Sequence, residues 1–502
     1  MSSAVAVHGA GHCSRKAYTR VKMLPVAGLV YTVFGALRAT RRTLHWVRPC
    51  ALLCTLLIAA CAGPDTRIKA PQQTATPLPL VAAHGAAGRA EERKVLERAL
   101  HGGHGAQDDA ELIEHVRKNI AHTSLVAGNR ALLLTDGPST FGEFARAIAD
   151  ASHHIHVETF IFSDDKLGRS FAKLLAEKSR QGVEVRVLYD SIGSWAADDE
   201  VFKLMRDAGV EVQAFQPLDS VDVVLSGRIN QRDHRKILIV DGRVAFVGGI
   251  NISGTYNMGS SLKPGKEQGL ADGWRDTQVR ISGPVVQQFQ ALFFATWAQA
   301  AGQQTPAMDD YFPPIESNGR SIIAALASEP GAASEAAIHG VHLAAINAAK
   351  RRLWITQAYF APDLALREAL IAAARRGVDV RVLLPGFSDS ETVLSASRAV
   401  YGDLLEGQVR IYEFDEAFVH AKTMVVDDSV SLVGSANMDY RSALDNNEVT
   451  ALIVDADFVT DLATVFLRDL AGASEITLAQ WQQRPAKQRV MERAATLLWR
   501  WL

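Results

Sequence analysis

Apolar positions in the body of the chain follow a strand–helix–strand order, and they follow it twice. Val157-Glu158-Thr159-Phe160-Ile161-Phe162 reads as a strand. Phe171, Leu174 and Leu175 then fall on one face of a helix, and beyond Gly182 the alternation of Val183, Val185 and Val187 reads as a second strand. The order returns with a strand over 355–360 and a helix face of Leu366, Leu370 and Ala373; Val378, Val380 and Val382 follow Gly377. A glycine after each helix suits the left-handed residue that ends one. Two such β-α-β units predict an α/β fold: two tandem domains, each a mixed sheet flanked by helices, packed face to face with pseudo-twofold symmetry. The first domain is expected over 126–314 and the second over 315–485, with the boundary near Phe312-Pro313-Pro314.

Three segments outside the repeat read differently. Residues 1–61 hold most of two apolar runs, 24–37 and 50–62, each shorter than the ~20 residues that span a bilayer. Arg38, Arg41, Arg42 and Arg48 lie between them. The second run ends in Ile58-Ala59-Ala60-Cys61, and the whole reads as a secretory signal. Those four residues resemble a bacterial lipobox, in which Cys61 is the lipidation site and the body is anchored on the periplasmic side. The alternative is a short membrane hairpin with a positive loop, and both readings put the body at a membrane. Residues 62–125 read as a linker with Pro64, Pro71, Pro77 and Pro79, then short helices over 90–100 and 110–120. His101 and His104 between those helices read as a solvated loop rather than a metal site. The tail, 486–502, mixes Val490, Met491, Leu497, Leu498, Trp499 and Trp501 with Lys487, Arg489, Arg493 and Arg500, a pattern that suits an amphipathic helix at a membrane surface.

The chain is 48% hydrophobic and 22% charged, which excludes a disordered polyelectrolyte. Its net charge of -2 conceals an asymmetry. Eight of the 53 basic residues and none of the 55 acidic ones fall in 1–61, leaving 45 against 55, or -10, for the rest. A net-acidic body makes nucleic acid an unlikely partner, because phosphate-backbone binding runs on Lys and Arg. All four cysteines (Cys13, Cys50, Cys54, Cys61) lie in the first 61 residues, so the body has no disulfide, thiolate nucleophile or Cys-ligated metal.

Each half then carries a chemical signature. The first is His234-Arg235-Lys236-Ile237-Leu238-Ile239-Val240-Asp241, continued by Gly248-Gly249-Ile250-Asn251; the second is His420-Ala421-Lys422-Thr423-Met424-Val425-Val426-Asp427, continued by Gly434-Ser435-Ala436-Asn437. One such match is weak evidence, but two with the same continuation inside a duplicated frame exclude chance. Residues i and i+2 of an extended strand share a face, so His234 projects with Lys236 and His420 with Lys422. A cleft between the halves would then hold two imidazoles, two ammoniums and the amides of Asn251 and Asn437, with Ser435 beside them. That set suits a phosphodiester: Lys and Asn neutralise the nonbridging oxygens, one His attacks phosphorus and the other protonates the leaving oxygen. No metal or other cofactor is required. Asp241 and Asp427 are candidates either for direct chemistry or for holding a turn. Each histidine needs a partner on its second nitrogen. The acids following each motif, Asp276 and Glu448, are candidates, and Glu158 is a third. His154 and His156 read as strand residues rather than ligands.

These motifs resemble those of the phospholipase D superfamily over about residues 126 to 485, and within it bacterial cardiolipin synthases. The segment 230–253 is similar to their first motif, Gly273-Trp274-Arg275-Asp276-Thr277 to their Trp-x-Asp-Thr stretch, and Met438-Asp439-Tyr440-Arg441-Ser442 to the residues just after their second motif. Gly249 stands in place of the motif's Ser, and Gln357 stands where Glu158 stands in the first half. The resemblance implies a phosphohistidine enzyme that joins two phosphatidylglycerols into cardiolipin and releases glycerol, with His234 as nucleophile and His420 as general acid. Water or another alcohol can compete as acceptor, so a phospholipase D or a different transphosphatidylase is the alternative. The implied partners are a phospholipid substrate and a membrane surface.

Overall fold

The computed structural model describes residues 66–69, 78–82, 85–100, 106–120, 122–217, 230–257, 273–302, 308–332 and 334–501. The expectations for Cys61, for His101 and His104, and for most of the loop between Asn251 and Trp274 fall outside these residues.

In the first half, strand Val126–Leu134 leads to helix Gly137–Asp150, strand His154–Thr159, helix Lys166–Arg180 and strand Glu184–Asp190. Short polar side chains start the helices: Asp136 accepts from the Ser139 amide, and Asp165 from those of Leu167 and Gly168. The second half repeats the path through Ser321–Ser328, Ala337–Ala348, Arg352–Thr356, Leu364–Arg375 and Asp379–Pro385, with Asp363 capping its second helix. Gly182 and Gly377 both sit at φ +91, where a side chain would be strained. Both first strands of the β-α-β units end three or more residues before the apolar run does. The reason is the same in each half: after Thr159 and Thr356 the chain leaves the sheet to meet the segment behind the motif, through bridges Phe162 to Ile252 and Phe360 to Met438. The two short N-terminal helices are Arg89–Leu100 and Ala106–Arg117.

Strand pairing makes one continuous mixed sheet with the two halves in mirrored order. From the first edge run Glu211–Phe215, Glu184–Asp190 and His154–Thr159, mutually parallel, then Ile237–Val240, Val244–Gly248, Gln278–Ser282 and Val126–Leu134, antiparallel. The second half repeats this order from the opposite side, with Ala473–Ile476 added antiparallel at its edge: Arg410–Phe414, Asp379–Pro385, Arg352–Thr356, Thr423–Val426, Val430–Gly434, Asn446–Val454, Ser321–Ser328. The halves join where Ser321–Ser328 pairs with Val126–Leu134 across a bulge. Residues Cys61–Leu502 thereby form one compact unit.

The strands behind the motifs are apolar on both faces, as strands covered on both sides must be. Ile237 and Ile239 face a shared central core that also contains Val425, Val449, Phe289, Phe293 and Phe458. Leu238 and Val240 face the outer core of the first half with Phe144 and Phe171, while Met424 and Val426 face that of the second half with Leu370 and Tyr401. Helices Val286–Ala301 and Ala456–Ala471 contribute to the central core. This burial on both faces clamps the strands at whose N-terminal ends the histidines sit. His154 and His156 are core residues: both contact the Gln290 side chain, at 3.1 and 2.7 Å, and His156 stacks on Phe293 at 4.4 Å.

Candidate active site

Each motif histidine is seated by the opposite half. Arg232–Asp233 pairs in parallel with Asn446–Asn447, and the His234 amide donates to Asn447 O at 2.9 Å. Trp274–Arg275 pairs in the same way with Phe418–Val419, and the His420 amide donates to Arg275 O at 2.8 Å. The residue after each acceptor is an acid. Glu448 therefore meets His234 Nδ1 at 3.0 Å, and Asp276 meets His420 Nδ1 at 2.7 Å. The acid that follows each motif in sequence serves the histidine of the other motif. Linear order carried no signal for that exchange. It follows from cross-half pairing, which only the folded chain makes.

The acids are themselves held. Ser435 and Ser442 hydroxyls donate to Glu448 at 2.5 and 2.7 Å. Ser435, expected to bind substrate, is thus a positioning residue for the acid. Its counterpart is Gly249, where an added Cβ would come within 2.2 Å of Asp276 Oδ1. The first half therefore has room for a close carboxylate where the second has a serine reaching a longer one. Asn251 is likewise occupied: its oxygen accepts from the Ile161 amide at 3.0 Å and its Nδ2 donates to Tyr256 Oη at 2.7 Å. Asn437 keeps its Oδ1 without a partner among the described residues. Tyr256 Oη lies 3.4 Å from His420 Nδ1. The His420 ring is surrounded by Trp274, Tyr256 and Phe418 at 5.0, 5.7 and 6.0 Å, and His234 abuts Phe160 at 5.1 Å. Tyr256 carried no signal in the sequence; Phe160 and Ser442 lie in stretches that the sequence singles out, but nothing there marked either as part of the site.

Electrostatics follow from burying four cations-in-waiting with two acids. Burial lowers His234 to about 4 against the pull of Glu448. Burial, reinforced by Lys422, lowers His420 to about 3. Burial would raise Glu448, but His234 and Lys236 outweigh it and bring it to about 2. Asp276 is held low in the same way by His420 and Lys422 against its burial. Burial lowers Lys236 to about 7 and Lys422 to about 8. At rest the carboxylates are ionised and both imidazoles neutral. An Nδ1–H donated to a carboxylate then leaves the Nε2 lone pair free. Lys236 Nζ donates to His234 O at 2.5 Å and Lys422 Nζ to His420 O, so each ammonium folds back beside its own histidine.

One open choice is resolved and one expectation is corrected. Asp241 and Asp427 are not in the reactive cluster. They sit at the far ends of the motif strands at φ 52 and 50, and accept from the backbone amides of Ser152, His153 and His154 and of Lys350, Arg351 and Arg352. Each closes the turn that brings a β-α-β strand beside its motif strand. Asp427→Ala, which removes the acceptor of three part-buried amides, is expected to cost ~1–3 kcal/mol in urea unfolding while the folded fraction keeps its turnover. Glu158 orients neither histidine. It is 1% exposed on strand His154–Thr159, beside Ile237, and lies against Asp233 and Arg235.

A duplicated α/β fold with one histidine–lysine pair from each half defines a PLD-like protein, and comparison with known proteins agrees. The chain matches the family described as Cardiolipin synthase, PLD-like domain, over residues 144–260 and 342–470. It is 39% identical over 371 residues to the cardiolipin synthase of Geobacillus kaustophilus, covering 74% of this chain and 72% of that protein. It is 34% identical over 410 residues to that of Halalkalibacterium halodurans, covering 81% and 78%. The crystal structure of phosphatidylserine synthase from Haemophilus influenzae superposes with a TM-score of 0.60 at 13% identity, over 78% of this chain and 99% of that one, which shows a common fold. The chain belongs to the cardiolipin synthase family of PLD-like proteins.

Proposed function

We propose that the chain is a phosphatidyltransferase that converts two phosphatidylglycerols into cardiolipin and glycerol by way of phosphatidyl-His234. The observation that carries this reading is the pair of crossed His–carboxylate contacts, His234 with Glu448 and His420 with Asp276, around Lys236 and Lys422. A phosphodiester between the two lysines supplies the negative charge that the resting site lacks, and so raises His420 into its protonated form. In the first step a bond forms between His234 Nε2 and phosphorus as the bond from phosphorus to the glycerol oxygen breaks, and His420 gives that oxygen a proton. In the second step His420 takes the proton of the acceptor hydroxyl, whose oxygen displaces His234 from phosphorus. The lysines neutralise the nonbridging oxygens throughout. Incubation with phosphatidylglycerol in mixed micelles tests the reading: cardiolipin with free glycerol supports it, and phosphatidic acid alone makes water the acceptor.

The pKa directions predict a pH profile. The free enzyme needs Lys236 and Lys422 charged to take up the phosphodiester, and each loses its proton as pH rises through about 7 and about 8. kcat/KM, which reports the free enzyme, should fall above that range while kcat falls less.

The C-terminal helix supports access to a lipid surface. Ala486–Thr496 buries Glu492 and Ala495, and Trp499 beyond it is 1% exposed in the core. Its outward face shows Val490, Met491 and Leu497, 67%, 44% and 48% exposed, among exposed Lys487, Arg489, Arg493 and Arg500. Glu492, the acid of this segment, is turned inward to Arg484. No described helix is long and apolar enough to cross a membrane. A double Val490→Asp, Leu497→Asp change should weaken cosedimentation with phosphatidylglycerol vesicles by roughly tenfold or more, from ~1–2 kcal/mol of apolar transfer at each site. Turnover of detergent-dispersed substrate should persist.

A further inference from the structure

Beneath His234 lies a pair of acids that the transfer chemistry does not use. Asp233 immediately precedes the histidine and Glu158 reaches it from the neighbouring strand; they are 0% and 1% exposed, and the two carboxyl groups face each other. None of their four oxygens has a well-formed hydrogen bond among the described residues, although the Thr296 hydroxyl lies near Glu158 and favours its ionised form. Most nearby donor atoms are committed elsewhere; the buried Nη2 of Arg232, itself without a partner among the described residues, reaches neither carboxyl group. Arg235 gives Nη1 to Thr296 Oγ1 and Nη2 to Glu329, both at 2.7 Å, and Nε to Glu448 O at 3.2 Å. Arg232 gives Nη1 to Ser191, and Asp190 accepts from the Asp233 amide at 3.0 Å. Two ionised carboxylates in contact in such a place repel strongly, and four lone oxygens go unsatisfied. A single proton between them removes the repulsion and gives two of the four oxygens a partner, because one carboxyl then donates to the other.

We propose that Glu158 and Asp233 share one proton, and that this O–H···O contact is a positioning device: it fixes Asp233, hence the Arg232–Asp233 ladder against Asn446–Asn447, hence His234 against Glu448. The charges facing the pair are Arg235, Glu329 and Asp190, with Arg232 and Lys236 also close enough to Asp233 to feel its charge. Burial, and for Asp233 also the charge of Glu158, pushes both acids above the usual carboxylate range, in keeping with a proton retained at neutral pH. The device belongs to one half only. Strand register makes Thr356, rather than Gln357, the counterpart of Glu158, because Glu158 pairs with Ile237 and Thr356 with Thr423; Val419 is the counterpart of Asp233, and neither position is an acid. The two histidines, otherwise seated alike, differ in this.

The inference rests on His234 being a reacting group, but its first test does not use activity. Infrared spectra of the full-length protein at neutral pH should show a buried protonated-carboxyl stretch that disappears in both Glu158→Gln and Asp233→Asn. In the second test, kcat of wild type should decline at alkaline pH as the pair loses its proton. In Glu158→Gln, whose amide still donates to Asp233 and cannot ionise, that decline should move up by about one pH unit or more, with KM little changed. A band unchanged in both variants, or an identical alkaline limb in wild type and Glu158→Gln, overturns the proposal. A missing band alongside intact cardiolipin formation would sink the shared proton and leave the transferase reading standing. Loss of the band on substitution, in a protein that makes no cardiolipin, would do the reverse.

Discussion

His234→Ala is expected to abolish turnover, by roughly 10⁴-fold or more, whatever the leaving group. The same change at His420 should depend on the leaving group. With phosphatidylglycerol, whose glycerol oxygen leaves only as the alcohol, His420→Ala should lose roughly 10²–10⁴ in rate. With a phosphatidyl ester of p-nitrophenol, which leaves as the anion, His420→Ala should still release a burst of nitrophenolate, because attack by His234 needs no acid. The burst then stalls, since the acceptor hydroxyl has lost its base. Equal loss in both variants on both substrates would mean that the histidines do not divide the work in this way.

The crossed acids carry the second large effect. Glu448→Gln keeps the size of the side chain but removes the charge that fixes the His234 tautomer, and kcat should fall by roughly 10²–10⁴ with a smaller change in KM. Asp276→Asn should cause a comparable loss through His420. The two are separated by the same activated ester. It should relieve much of the defect of Asp276→Asn and little of that of Glu448→Gln, because Asp276 contacts the proposed proton donor, His420, and Glu448 the proposed nucleophile, His234. If each acid served the histidine of its own half, the relief would appear in the opposite variant.

Much of this architecture was legible in the sequence, and the remainder has identifiable physical reasons. The β-α-β repeat is written in periodicities of two and of three to four, so the halves and their helix faces could be read from Phe171, Leu175, Leu366 and Leu370. Strand ends could not. Ile161 looks like strand continuation, yet its amide goes to Asn251, a contact between residues 90 apart. The motif histidines, lysines and acids could be named one by one, but their pairing is a property of the interface. His234 and Glu448 are 214 residues apart, and nothing local distinguishes that partner from Asp276. The motif aspartates show the opposite failure. Asp241 and Asp427 recur at a fixed distance from the histidines because the strand between them has a fixed length, and their carboxylates close turns at its far end. Regular spacing marked a structural requirement as firmly as a chemical one.

The most direct measurement is to find the covalent intermediate. Phosphatidylglycerol labelled in its phosphate would be mixed with enzyme for a fraction of a turnover and quenched in alkali, where phosphohistidine survives, and the labelled peptide would be mapped. The account predicts label on the peptide containing His234, reduced to background in His234→Ala and retained with an activated donor in His420→Ala. Label on the His420 peptide, or cardiolipin formed with no labelled histidine at any time, would contradict it.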